Sequence, residues 1–65
     1  ELNVLSNNFI NQFQIFDITG KTIIRKTAFN TKLIHIDVSS LMPGLYIAKV
    51  LDEDGNSFSE KIIIR

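Results

Sequence analysis

Three stretches carry residue types that could do chemistry. Gly20-Lys21-Thr22 spells the end of a phosphate-binding loop. That chemistry needs another glycine five residues upstream, so that backbone amides can cradle the phosphates, and a helix afterwards. Position 15 is Ile15 and a strand pattern follows, so Thr19-Gly20 reads as a hairpin turn instead. Asp52-Glu53-Asp54-Gly55-Asn56 has the carboxylates of a calcium loop, but such a loop places glycine sixth and a bidentate acid twelfth. Counted from Asp52, glycine is fourth and the twelfth residue is Ile63, so a polar Asp-Gly hairpin turn accounts for the stretch better. His35 is the only histidine, with Asp37 two residues on. A zinc site or an activated nucleophile needs further partners in register, and a surface His–Asp contact is the most this pair offers. No cofactor-binding or metal-ligating set emerges, and the expectation is that the chain is not an enzyme.

The elements that would position these residues are strands. Leu2 to Leu5, Phe13 to Ile18, Thr22 to Thr27, Leu33 to Val38, Leu45 to Leu51 and Phe58 to Ile64 are rich in Ile, Val, Phe and Thr. Turn residues separate them about every 8–12 positions, which predicts a small all-β antiparallel sandwich of six to seven strands. Alternation assigns faces: Ile34, Ile36 and Val38 oppose His35 and Asp37, and Tyr46, Ala48 and Val50 oppose Lys49, with Leu45 and Ile47 leaving that second face only partly polar. In the last strand Phe58, Ile62 and Ile64 align, with Glu60 on the same side. Ser39 to Pro43 could form one helical turn or an irregular crossover. There is no internal repeat or low-complexity linker.

Composition narrows the function classes. With 65 residues, 45% of them hydrophobic, and no cysteine, the chain suffices for one domain, residues 1–65, with no disulfide to staple it. A domain of this size buries only about 60% of the surface its unfolded chain exposes, so marginal stability is expected. Seven basic and seven acidic residues cancel, which leaves no net field to attract nucleic acid or anionic lipid. No apolar run approaches the roughly 20 residues of a membrane span, so direct membrane insertion is not expected. The chain opens on Glu1 and reads as a piece of something longer.

Four blocks then form a pattern: Phe13-Gln14-Ile15-Phe16-Asp17-Ile18-Thr19-Gly20-Lys21, Ile36-Asp37-Val38-Ser39-Ser40-Leu41, Pro43-Gly44-Leu45-Tyr46-Ile47-Ala48-Lys49-Val50 and Glu60-Lys61-Ile62-Ile63-Ile64-Arg65. In this order and spacing they resemble the C-terminal sorting domain (type A) of the type IX, or Por, secretion system of Bacteroidota. The departure is at the front. The family's Asn-Pro element is missing and Glu1-Leu2-Asn3-Val4 begins inside the first strand, as though the first few residues of the pattern had been cut away.

The resemblance implies an Ig-like sandwich at the C-terminus of a larger cargo, with N-terminal cargo domains in the same polypeptide. It further implies passage through the periplasm, an outer-membrane translocon with its shuttle protein, and removal by a sortase-like peptidase, leaving the cargo at the cell surface or secreted. On this reading Asp17, Gly20, Lys21, Pro43, Gly44 and Tyr46 are family-motif positions with structural roles, Tyr46 as a tyrosine corner. Lys61, Ile62, Ile63, Ile64 and Arg65 are the candidate recognition segment, open to strand addition. The residues themselves permit another account, in which Lys61 and Arg65 are charged gatekeepers of an aggregation-prone strand. Edge pairing would also allow a weak homodimer. The competing function is a fibronectin-III-like adhesive or carbohydrate-associated module, weakened by the lack of tryptophan and the single tyrosine.

Overall fold

Strand-forming residues broken by Asn, Asp, Gly and Ser produce six strands and no helix among the residues described, 2–27 and 30–65, in the computed structural model. Glu1, which the sequence places inside the first strand, lies outside them. The strands are β1 (Leu2–Leu5), β2 (Ile10–Asp17), β3 (Thr22–Thr27), β4 (Leu33–Ile36), β5 (Gly44–Asp52) and β6 (Ser57–Ile64). They form two antiparallel sheets, β1-β4 and β3-β2-β5-β6. This order is that of the B-E and C′-C-F-G strands of an immunoglobulin sandwich.

Period-two alternation builds the core. Phe13 and Ile15 from β2, Ile34 and Ile36 from β4, and Tyr46, Ala48 and Val50 from β5 are buried between the sheets with Ile10. Leu2, Val4, Ile24, Val38, Leu41, Ile62 and Ile64 pack around them, half-buried.

Boundaries shift where side chains outweigh the apolar pattern. β2 starts at Ile10, three residues before the expected Phe13, because an irregularity between Ile10 and Gln12 turns Asn11 outward while Ile10 is fully buried. Ile18 falls in the following turn, exposed. β4 stops at Ile36 because the Asp37 carboxylate accepts the Ser39 N–H at 2.9 Å, an Asx turn that redirects the chain. The Leu41 N–H then donates to Val38 O at 3.0 Å, so this crossover is a hydrogen-bonded turn. β6 pairs from its first residue, Leu51↔Ser57, to its last, Gly44↔Ile64.

Candidate functional site

The two stretches that imitate ligand loops are one device used twice. In the β2–β3 turn the Asp17 carboxylate accepts Thr19 N–H at 2.9 Å, Thr19 Oγ1–H at 2.6 Å and Lys21 N–H at 3.0 Å, all on Oδ1. The Gly20 N–H donates to Asp17 O, and Asp17 N–H to Lys21 O. The amides a phosphate would need are thus committed to Asp17, those of Thr19 and Lys21 to its carboxylate and that of Gly20 to its backbone carbonyl. In the β5–β6 turn Asp52 Oδ1 accepts Asp54 N–H at 3.0 Å and Asn56 N–H at 2.9 Å, with the same backbone pair of bonds. Each three-residue loop ends on a glycine in the left-handed region, Gly20 at φ 89° and Gly55 at φ 86°.

Asp52 differs from Asp17 in being buried, 2% exposed, and in holding a distant segment. Its Oδ2 accepts Asn8 Nδ2–H at 3.2 Å and Asn56 Nδ2–H at 3.5 Å, while Glu53 N–H reaches Phe9 O at 2.9 Å. Burial opposes ionisation of Asp52, yet the bonds from Asn8, Asn56 and Asp54 outweigh it and hold the carboxyl below the usual aspartate value. The bond from the Thr19 side chain does the same for Asp17, and that from Ser39 for Asp37. The His35 ring pairs across the sheet with Asn3, its register partner. Among the described residues no group of His, Cys, Asp or Glu could hold a metal ion.

Pro43 and Gly44 lead into β5, and two residues later the buried Tyr46 donates its hydroxyl to Met42 O at 2.6 Å. The ring therefore fills the core while its polar tip ties down the preceding turn.

The terminal strand divides the candidate recognition segment between two faces. Ile62 lies beside Tyr46 and Ile64 beside Gly44, both half-buried on the core side. Lys61 lies beside Ile47 and Ile63 beside Leu45, exposed on the outer side, with Arg65 exposed just past the strand. One edge of β6 is bonded to β5 along its whole length; the other has no strand partner among the described residues. Toward its start, Phe58 and Glu60 face inward but remain exposed, because β1-β4 is too narrow to cover them. A trough of about 760 Å³ separates Leu2 and Val4 from Phe58, Glu60 and Ile62.

All 65 residues match the family described as secretion system C-terminal sorting domain. The chain belongs to this family of type IX sorting domains. It is similar to beta-agarase D of Zobellia galactanivorans, 30% identical over 63 residues, which are 97% of this chain and 12% of that protein. No solved structure matches it. The sorting domain is thus a C-terminal secretion signal, and its cargo is exported to the cell surface or secreted. Sequence reasoning passed over Asn8 and Asp52 as a structural pair. The signal for Asp52 was present in the recurrence of Asp-x-x-Gly-x at 17–21 and 52–56; nothing in the sequence marks Asn8, whose partner is 44 residues away.

Proposed function

We propose that residues 1–65 act as one sorting domain carrying an N-terminal cargo through the periplasm to the type IX outer-membrane translocon and its shuttle protein. A sortase-like peptidase then removes the domain, which is the substrate of that step and not an enzyme. Recognition falls on Lys61, Ile62, Ile63, Ile64 and Arg65. The observation that supports this reading is the terminal strand itself: fully paired on one edge, unpartnered on the other among the described residues, and ending in exposed Lys61, Ile63 and Arg65. An open edge of this kind accepts an added strand, with main-chain bonds supplying affinity and alternate side chains selectivity. Asp17, Gly20 and Lys21 support recognition by holding the β2–β3 turn, and Pro43, Gly44 and Tyr46 by holding the turn that leads into β5, the strand on which β6 pairs.

The test fuses residues 1–65 to a periplasmic reporter in a type IX-competent bacterium. Surface or secreted reporter is expected from the intact fusion and none after deletion of Lys61 to Arg65. Because that deletion also unpairs the start of β5, circular dichroism must show a folded domain. Export of the folded truncation would refute recognition of this segment.

A further inference from the structure

The outward side of the β3-β2-β5-β6 sheet has a composition that the net charge of zero conceals. By strand alternation its cations are Arg25 on β3, Lys49 on β5 and Lys61 on β6. Every described acid lies elsewhere: Asp17 and Asp52 end β2 and β5 on the inward side, Asp37, Glu53 and Asp54 belong to turns, and Glu60 faces the trough. The Gln12 amide, with its oxygen turned to Arg25, accepts from the guanidinium at 3.0 and 3.2 Å, which fixes the side chain without neutralising it.

Beside these cations runs an apolar strip. The register aligns Phe16, Ile47 and Lys61 in one row across β2, β5 and β6, and Leu45 with Ile63 in the next. Ile63 is 65% exposed, Leu45 43% and Ile47 36%. An apolar centre with a polar rim is the arrangement of a protein interface.

We propose that this outer face docks an acidic protein surface, with Ile47 and Ile63 at the centre of the contact and Arg25, Lys49 and Lys61 along its rim. The proposal rests on the sorting reading and supplies the chemistry of the partner. A second copy of the chain does not fit, because two such faces would oppose three cations to three cations with no acid between them. A bilayer fits less well. The short Ile and Leu side chains stand no taller than the lysines beside them, whereas membrane binding carries apolar groups below the level the cations occupy.

The test uses the reporter fusion with paired charge reversal, Arg25→Glu with Lys49→Glu, and separately with Leu45→Thr and Ile47→Thr, which keep strand propensity; all four positions lie on the outer face but outside Lys61 to Arg65. Lys26→Glu is the control for charge reversal away from this face, since Lys26 lies opposite Phe13 on the other face. Each outer-face pair is expected to lower surface reporter about tenfold with the thermal unfolding midpoint unchanged, while Lys26→Glu exports normally. Normal export of both pairs, or an equal loss with Lys26→Glu, overturns the docking face while leaving the sorting reading intact. Failure of the unmutated fusion to export removes both. Co-flotation of the fusion with phosphatidylglycerol–phosphatidylethanolamine vesicles, abolished by the charge reversal, would assign the face to lipid and overturn the protein partner. A sedimenting dimer abolished by the same variant would assign it to a second copy.

Discussion

Asp17 and Asp52 occupy equivalent positions in equivalent turns, yet only Asp52 ties its turn to another part of the chain through Asn8. Asp52→Ala should therefore lower the unfolding midpoint more than Asp17→Ala, a ranking that thermal denaturation checks directly. All three turn carboxyls, Asp17, Asp37 and Asp52, have folded-state values below the unfolded one. A depressed carboxyl stabilises the fold above its unfolded pKa of about 3.9, and that contribution is lost as pH falls through the folded value. Stability from these groups should thus be level between about pH 5 and 7 and fall below about pH 4. Denaturant titrations across that range, with Asp52→Asn flattening the acid limb, measure it. An alanine Cβ at Gly20 or Gly55 would meet no atom within 4 Å, so only backbone strain opposes it. Gly55→Ala should cost about 1–2 kcal/mol, and Gly55→Asn less. Tyr46→Phe removes only the hydroxyl bond to Met42 O and should cost about 1 kcal/mol.

At the level of the element, β6 presents Ile62 and Ile64 to the core side and Lys61 and Ile63 to solvent. Ile62 packs beside Tyr46 and is half-buried, so Ile62→Ala should destabilise by about 1–2 kcal/mol, below the range for full core positions. Ile63→Ala, on the exposed face, should stay within about 0.5 kcal/mol. Measured alongside export, the pair separates folding from recognition: an export defect in Ile63→Ala without loss of stability points to a contacting side chain. The same alternation explains why all six strands were legible, with every boundary except the start of β2 within two residues. Their β-branched and aromatic runs and the Asp-Gly and Thr-Gly turns are local signals. The start of β2 was not, because Asn11 and Gln12 interrupt the apolar pattern where the strand bends around buried Ile10.

For the molecule as a whole, a two-stranded sheet faces a four-stranded one, and the mismatch leaves the trough beside β1 and β6. The open strand edges of two sheets in so small a domain invite self-pairing, and an inward-pointing charge on an edge strand opposes it. Glu60 is such a charge, opposite Ala48 on the core side of β6. Glu60→Val should leave the fold intact and promote concentration-dependent association, which sedimentation velocity would detect. Unchanged monomer at high concentration would show that the edges are guarded by other means.

The sequence alone determined the all-β class, the strands, the hairpin turns at Thr19-Gly20 and Asp54-Gly55, and the four blocks by which the chain resembles its family. These depend on residue type and short-range spacing. Which residues of Lys61 to Arg65 face solvent, which acid is buried, and where the cations gather required the tertiary structure. Strand alternation says only that neighbours lie on opposite faces. Which face meets the core, and how much of it the opposing sheet covers, follows from pairings between strands far apart in the chain.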